Sequence, residues 1–518
     1  MWADLVLVDA NVLTINPAQP TVKAIAIKDD KIVHIGTNDE MQAWIGKNTK
    51  VLRLNGKTVV PGFIDTHIHV ADFGRLLTWI NLNEVDSIRE MQETLSKRAK
   101  KISERKWILG RGWSEKRFAE KRLPTRFDLD LVSPNNPVMF YHESGQICVV
   151  NSKALVLAGV TKATKASSGG VIDRNEKTGE LTGVLRGNAT NVLWNVVPEP
   201  TEDELIEATS LAFERISEAG VTSVHWIALS SLEISVIQKL NEQNRLPLRI
   251  CVIVPANLLK NIIDFKTHDD STLKIGGGII FADGYLAAKT AALFQPYSDN
   301  HKSSNRLLCT QEEMNSVAEK IVKAGFQLVI HAVGDKAADA ALTTIETTAK
   351  GHRNRIEQAA VINERLLKRM KKLKVIVSVQ PCVIASEFSV WSATKHLGPE
   401  RAKWLFPIKT LLNEGVRVIG GSDCPMEPLN PLLGMQTAIT REFYPKERIT
   451  IDEALRMYTI EAAYSSNEDN IKGSVETGKL ADLAVLSRDP RSVKSSEIKN
   501  ISVELTILGG KVIFSKNA

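Results

Sequence analysis

Two histidines share one face of a predicted strand. Residues 59–70 begin with apolar and β-branched side chains, which are typical of a buried strand, and end in His67-Ile68-His69-Val70. Because side chains alternate between the two faces of a strand, His67 and His69 point the same way, about 6–7 Å apart along the chain. Two imidazoles placed like this can bind one metal ion. A bare His-x-His is also compatible with two histidines that bind no common metal ion. The flanking sequence is therefore needed to distinguish the two interpretations.

The residues around this pair are distinctive. The segment Pro-Gly-Phe-Ile-Asp-Thr-His-Ile-His, residues 61–69, resembles the first barrel strand of the amidohydrolase superfamily. Later phrases, such as Asn-Ser-Lys-Ala-Leu at 151–155, occur in an order that resembles the YtcJ-like branch, often called amidohydrolase 3. The resemblance is nearly full-length. It implies a metal-dependent hydrolase built as a (β/α)8 TIM barrel, with a small β-sandwich made from both chain ends.

Strand candidates recur along the chain with helices between them. Helical patterns at 205–219, 311–324, 337–350 and 365–373 separate several strands. Alternating strands and helices favour a parallel sheet, and eight strands suit a closed barrel; a doubly wound open sheet is the alternative from periodicity alone. The eight candidates are residues 59–69, 221–226, 248–254, 278–281, 327–331, 355–361, 375–380 and 416–421.

The remaining segments predict a second domain and an insertion. Short strand patterns occupy both ends of the chain, and the resemblance leads us to expect that residues 1–57 and 470–518 form one β-sandwich. Residues 58–469 would then form the barrel. Within it, residues 70–215 depart from the strand–helix rhythm. A structureless connection of that length is uncommon in a compact protein, so we expect a large folded insertion after the first barrel strand.

Barrel enzymes carry catalytic groups at the C-terminal ends of their strands. His67 and His69 end the first candidate strand, His331 ends the fifth and Asp423 ends the eighth. Three imidazoles and one carboxylate suit a divalent metal, which we expect to be one Zn²⁺, with Fe²⁺ or Mn²⁺ as alternatives. Such an ion lowers the pKa of bound water toward ~7. Asp423 could accept the proton of that water and pass it to the leaving nitrogen, although an Asp after a strand is also a common helix cap.

Four positions depart from the family pattern. Gln358 stands where the family has a histidine at the end of strand six; an amide is a poor metal ligand, but it can orient water or substrate. Ile279 stands where relatives carry a lysine that bridges two metals when carboxylated. Gln146 replaces a histidine of the insertion, and Trp226 replaces an Asp after strand two. These departures favour one metal over two, and they leave an altered substrate or a loss of catalysis open.

Composition excludes several classes of protein. Hydrophobic residues make up 43% of the 518 residues and charged residues 24%, and the net charge of +6 comes with no dense basic block. The five cysteines are widely spaced, which favours a reducing compartment. There is no run of 18 apolar residues and no secretory leader pattern. We therefore expect a cytoplasmic protein whose partner is a small-molecule substrate, with no nucleic acid and no membrane; a homodimer is left open.

The leading functional hypothesis is hydrolysis of a carbon–nitrogen bond other than a peptide bond, in a small amide, cyclic amide or related compound. Asp423 would act as base and then acid, assisted by Gln358. By resemblance, Trp113, Asp283 and Gly284 would line the substrate pocket. Two alternatives remain: a deaminase that uses a single metal, and a non-catalytic relative that keeps the barrel as a binding or scaffold protein.

Overall fold

The computed structural model describes residues 2–260, 271–299 and 306–517. Within these residues, eight parallel strands form one sheet in which spatial neighbours follow chain order. The predicted TIM barrel is therefore confirmed. From first to eighth, the barrel strands are Phe63–Ile68, Val221–Ile227, Arg249–Pro255, Leu273–Phe281, Gln327–Ala332, Arg355–Gln358, Ile376–Val379 and Arg417–Gly420.

The first and eighth strands meet just beyond their C-terminal ends. The backbone N–H of Asp423 donates to the carbonyl of His67 at 2.8 Å, and the N–H of His69 donates to the carbonyl of Cys424 at 2.9 Å. These two hydrogen bonds join the edges of the sheet. They also bring a residue of the eighth strand's loop beside the His-x-His pair, although more than 350 residues separate them in the chain.

The predicted strand 59–69 is two strands rather than one. Thr58–Pro61 belongs to the sandwich and Phe63–Ile68 to the barrel, with Gly62 between them. A side chain at residue 62 would collide with Thr222, since a Cβ there would lie 2.2 Å from its hydroxyl oxygen. Glycine thus allows the chain to change sheets in a single residue.

Both chain ends contribute to a β-sandwich, as predicted. Thr58–Pro61 pairs antiparallel with Leu483–Leu486 and parallel with Asn11–Leu13. In the described residues, one sheet runs Lys511–Ser515, Val503–Leu508, Leu483–Leu486, Thr58–Pro61, Asn11–Leu13, Thr21–Val22, and the other runs Lys31–Gly36, Ala24–Lys28, Leu5–Val8, Lys50–Arg53. Their shared core joins residues from both ends, among them Leu7, Ile25, Leu483 and Val485. Burial of this apolar surface stabilises the pairing of the termini.

Residues Gly74–Ala208 form a compact unit of their own, so the expected folded insertion is confirmed. Its six strands in the described chain pair in the order Gly170–Arg174, Leu181–Gly187, Ile147–Val150, Val138–His142, Ile108–Trp113, Ile80–Asn81. Apolar residues pack on both faces of this sheet, in one cluster around Phe140 and another around Leu185. The helix Ile88–Ala99 begins after Ser87, whose hydroxyl caps the N–H of Glu90.

Helices connect most of the barrel strands. The helix Gln311–Lys323 starts at a capping box formed by Thr310 and Glu313. No helix in the described residues is both long and apolar enough to cross a membrane. The α-helices described after the insertion are Ser231–Glu242, Gln311–Lys323, Asp335–Thr348, Glu364–Leu373, Pro381–Ala385, Ala393–Leu397, Pro399–Ala402, Ile408–Asn413, Pro431–Thr440, Ile451–Met457 and Ile460–Ser465. Val70–Leu77 and Glu202–Glu218 each cross a boundary of the insertion, and the short helices Arg126–Asp130, Ser152–Leu157 and Asn191–Trp194 lie within it.

Candidate metal centre at the barrel mouth

Three of the four predicted ligands lie together. His67, His69 and Asp423 each offer a ligand atom, and these atoms lie within 4.8 Å of one another. The Nε2 atoms of His67 and His69 are 3.6 Å and 3.4 Å from Oδ1 of Asp423. Zinc held tetrahedrally at about 2.0–2.2 Å keeps its donor atoms roughly 3.2–3.6 Å apart. The spacing and chemistry of these buried side chains therefore fit one divalent ion.

Asp423 remains a carboxylate in this position. Burial favours its neutral form, but the hydrogen bond from His69 and the charges of His67 and His69 outweigh burial and lower its pKa. Its backbone has a φ of +60°, which is uncommon for a residue other than glycine. Closure of the barrel holds this conformation and aims the carboxylate at the two imidazoles.

His331 lies near this group but is not one of the side chains whose ligand atoms lie within 4.8 Å of one another. Its ring is buried, with the Phe281 and Tyr285 rings at 5.4 Å and 5.8 Å from it. Its Nδ1 atom has no hydrogen-bond partner among the described residues and lies 3.9 Å from Oδ1 of Asp283. Burial and the charge of His67 lower its pKa to about 4, so the imidazole is neutral at pH 7. Ligation by His331 stays a prediction.

A buried carboxylate orients His67. Oε2 of Glu357, in the sixth strand, lies 2.7 Å from Nδ1 of His67. Burial raises the pKa of Glu357, but Arg355 and His67 outweigh burial and lower it to about 2. Because an ionised carboxylate can only accept, Nδ1 of His67 must be the donor. Nε2 is then directed toward Asp423, and such a carboxylate–imidazole pair is a common support for a metal ligand.

Arg355 extends this network across the barrel. Its Nε donates to Oε1 of Glu357 at 2.9 Å, and both side chains are fully buried. Its NH1 donates to Nδ1 of His225 at 2.8 Å, and its NH2 donates to the carbonyl of Thr66 at 2.9 Å. Burial and then the charge of Arg355 lower the pKa of His225 well below its usual value, so this ring is neutral and accepts the bond. His225 is thus packed within the barrel and held by Arg355.

Gln358 contacts Asp423 directly. Its Nε2 donates to Oδ2 of Asp423 at 3.1 Å. The backbone turns at this residue, with a φ of +70°, and the N–H of Ala359 donates to the carbonyl of Glu357, which forms a γ-turn. The turn brings the amide to the carboxylate that faces the histidines. Gln358 therefore holds Oδ2 of Asp423, while Oδ1 faces His67 and His69.

Two of the other departures, Ile279 and Trp226, are buried in the barrel among apolar or aromatic side chains. Ile279 is buried in an apolar cluster with Ile227, Ile253 and Val329. Trp226 packs against Phe213, and its indole donates to Glu233 at 3.0 Å. Gln146 is an exposed residue of the insertion. Ile279 and Trp226 therefore add no ligand to the group of His67, His69 and Asp423.

Two of the predicted pocket residues, Trp113 and Asp283, are buried. Trp113 is fully buried in the insertion, where its ring stacks on Phe118 and its indole donates to the carbonyl of Phe140 at 2.8 Å. Asp283 is also buried, and its carboxylate accepts hydrogen bonds from the N–H groups of Ala292, Val333 and Gly334. Both side chains are thus held by hydrogen bonds within the packing of the fold. Their role in lining a substrate pocket stays a prediction.

Gly284 is half-buried, and the packing of its own loop explains why this residue is glycine. A Cβ at this position would lie 2.1 Å from the hydroxyl oxygen of Thr290, so the close approach of the loop to Thr290 requires glycine.

Sequence reasoning missed Asp65, Glu357, Arg355 and Tyr285. Oδ1 of Asp65 accepts from the N–H groups of His67 and Ser422, and burial raises its pKa to about 6. A signal was available for three of these residues. Asp65 lies two residues before His67, and Arg355 lies two residues before Glu357, so each pair shares a strand face.

Comparison with known proteins agrees with this geometry. Residues 50–514 match the model of the amidohydrolase family. The chain is 28% identical to the putative amidohydrolase YtcJ of Bacillus subtilis over 96% of both chains. It is also 28% identical to an N-substituted formamide deformylase of Arthrobacter pascens, over 99% of this chain and 98% of that protein.

Among solved structures, it is similar to an uncharacterized metal-dependent hydrolase from Pyrococcus furiosus. The identity is 29% and the TM-score 0.79, over 94% of this chain and 100% of the other. The matched family model spans most of the chain, and its residues include all those of the site described above. The protein therefore belongs to the amidohydrolase family of metal-dependent hydrolases.

Proposed function

We propose that this protein hydrolyses a carbon–nitrogen bond other than a peptide bond, in a small amide, cyclic amide or related compound. The observation that supports this most is the convergence of His67, His69 and Asp423 at the C-terminal ends of barrel strands, with spacings that suit one ion. The similarity to a deformylase that acts on N-substituted formamides suggests a first group of substrates to test.

The proposed centre holds one divalent ion, which we take to be Zn²⁺, on His67, His69 and Asp423, with His331 as a further ligand. When bound, the ion acts as a Lewis acid and lowers the pKa of water. A single ion is supported by the apolar surroundings of Ile279 and by the amide at Gln358, since neither can bridge two metals.

The protein's own groups carry the proton. Asp423 accepts a proton from the attacking water and delivers it to the leaving nitrogen, which its lowered pKa allows because the group starts as a carboxylate at neutral pH. Gln358 donates to Oδ2 and keeps the carboxylate from rotating. Glu357 fixes the tautomer of His67 so that Nε2 faces the site.

Metal content per chain tests the centre. We expect about one ion in protein purified without chelators, and loss of that ion in the double variant His67→Ala, His69→Ala. His352→Ala is the matched control, because His352 is exposed and lies outside the site. Two ions would show that a bridging ligand exists. No ion, even after reconstitution, would favour the non-catalytic alternative that the change at Gln358 raises.

Products test the reaction. The metal-loaded protein would be screened with N-substituted formamides, lactams, hydantoins and aminopurines. Release of formate or another carboxylate supports amide hydrolysis, whereas release of ammonia from the aminopurines alone would replace it with deamination. Asp423→Asn should lower kcat by about 10²–10³-fold, because it removes the proton acceptor.

A further inference from the structure

Tyr285, in the loop that follows the fourth strand, lies beside His331 of the fifth strand. Its ring centroid lies 5.8 Å from that of His331, with the two planes at 68°. Phe281, which pairs in register with His331, lies on the same imidazole at 5.4 Å. Phe281 is half-buried, whereas 55% of Tyr285 is exposed. An exposed aromatic ring therefore borders a histidine of the site.

The loop that carries Tyr285 is held firmly. The N–H of Tyr285 donates to the hydroxyl of Thr290 at 2.9 Å, and the N–H of Thr290 donates back to the carbonyl of Tyr285 at 3.0 Å. Asp283 ties the start of the loop to three backbone N–H groups, and Leu286, directly after Tyr285, is buried. Since its backbone is fixed, the exposure of the ring is a built feature rather than the result of a loose segment.

The phenol hydroxyl of Tyr285 is available to a ligand. It has no hydrogen-bond partner among the residues that the structure describes. A phenol in this position is protonated at neutral pH and has one hydrogen bond to donate.

The neighbouring loops add apolar surface. Large apolar side chains are exposed in the loops that follow the second, fourth, seventh and eighth strands, where barrel enzymes bind substrate. They are Leu229, Phe294, Leu308, Val390 and Met426. Exposed apolar groups gathered at one end of a barrel are typical of a ligand-binding surface.

We propose that Tyr285 is a catalytic residue whose phenol O–H donates a hydrogen bond to the substrate's carbonyl oxygen, while its ring packs against an apolar group of the substrate. This inference rests on the proposed function and adds to it a substrate class, amides with a flat or bulky apolar substituent. The hydrogen bond strengthens as negative charge develops on the carbonyl oxygen. It therefore lowers the activation barrier of hydrolysis more than it strengthens substrate binding in the ground state.

Two substitutions separate the hydroxyl from the ring. Tyr285→Phe removes only the O–H. We expect kcat for N-benzylformamide to fall about 10²-fold, the usual effect of losing one such donor, with KM changed less than about 3-fold. Tyr285→Leu should lower kcat similarly and raise KM for N-benzylformamide, but leave KM for N-methylformamide nearly unchanged. Tyr444→Phe is the matched control, because its hydroxyl bonds to the carbonyl of Pro399 instead.

Metal content and the melting temperature of each variant should equal those of the wild type, which excludes loss of the centre or of the fold. An unchanged kcat in Tyr285→Phe, in a wild type that does hydrolyse amides, would overturn this inference and leave the proposed function standing.

Benzohydroxamate binding covers the opposite case, in which the wild type hydrolyses no amide and the proposed function itself fails. The dissociation constant of this carbonyl-bearing aromatic ligand would be measured on metal-loaded protein by calorimetry. Weaker binding by about 3- to 10-fold in Tyr285→Phe supports the donor role. Equal binding by the two proteins, or none by the wild type, overturns it.

Discussion

On one side of the barrel, the inward side chains of strands one and six and of the loop after strand eight are ionised or hydrogen-bonded: His67, Glu357 and Asp423. We call this the metal side. On the opposite side, strands two to five contribute Ile227, Ile253, Ile279 and Val329, all buried. We call this the apolar side.

The difference explains how one ion could be held firmly and a second excluded. The four apolar residues offer no oxygen, nitrogen or sulfur atom, so none of them could help to bridge a second ion. Complete burial of Glu357 and Arg355 reduces local screening, which strengthens the interactions of Glu357 with Arg355 and His67. The metal side therefore depends on buried electrostatic interactions, whereas the apolar side depends mainly on packing.

The largest effect should come from removing the carboxylate that supports the metal side. Glu357→Gln is expected to weaken metal binding by about 10–100-fold, because His67 loses the partner that fixes its tautomer. Competition with a chelating dye measures the affinity. Glu364→Gln, an exposed change on the helix that follows the same strand, is the control.

Loss of Glu357 also leaves Arg355 buried without its ion partner, which costs about 3–5 kcal/mol of folding free energy. The double variant Arg355→Met, Glu357→Met separates the two effects, since it should recover stability without recovering metal affinity. Unchanged metal affinity in Glu357→Gln would show that the metal side does not need this carboxylate.

A charge placed on the apolar side should be the next largest effect. Ile279→Lys buries an ammonium group among Ile227, Ile253 and Val329, and we expect it to lower the free energy of unfolding by about 3–5 kcal/mol. Ile279→Met, which keeps the apolar character, should cost less than about 1.5 kcal/mol. Urea denaturation compares the two variants.

A second substitution at Ile279 tests whether packing on the apolar side excludes a second ion. The double variant Ile279→Lys, Gln358→His introduces the residue types that the family resemblance associates with a second metal. We expect metal content to stay at one ion per chain, because the surrounding packing remains apolar. Two ions per chain with normal stability would contradict this expectation. Two side chains alone, rather than the packing of the apolar side, would then distinguish a one-metal from a two-metal site.

The smallest effect concerns an acid in the loop after the seventh strand. Burial, and then the charge of Glu427, raise the pKa of Glu387 to about 7, and its buried Oε2 has no partner among the described residues. Because the pKa is about 4.3 in the unfolded chain, the folded state binds more protons between about pH 4.3 and 7, and stability falls as pH rises through that interval.

Glu387→Gln should therefore increase stability at pH 8 by about 1–2 kcal/mol and change little at pH 4. Thermal unfolding at both pH values checks this. Glu442→Gln, at an exposed position, is the control and should have no pH-dependent effect. An equal gain in stability at pH 4 and pH 8 would show that ionisation of Glu387 is not the cause.

The sequence by itself determined the alternation of strands and helices and the His-x-His pair. Closure of the strands into a barrel and the pairing of the two chain ends in a sandwich were expected from the family resemblance. Strand and helix periodicity are local properties, and the two histidines are related by the alternation of a single strand. Asp423 could also be predicted as a site residue, because the C-terminal ends of parallel strands lie together at one end of a barrel. Gln358 could be assigned to the site by its position, but the γ-turn that brings it to Asp423 could not be inferred.

Only the tertiary structure decided which distant side chains meet. His67 and Glu357 are 290 residues apart, and Arg355 and His225 are 130 apart, so their contacts depend on barrel closure rather than on local spacing. Burial was equally hidden: Trp113 and Asp283 look like site residues in the chain, yet each is satisfied within a core. Partners and solvent exposure arise from long-range packing, which local sequence patterns do not specify.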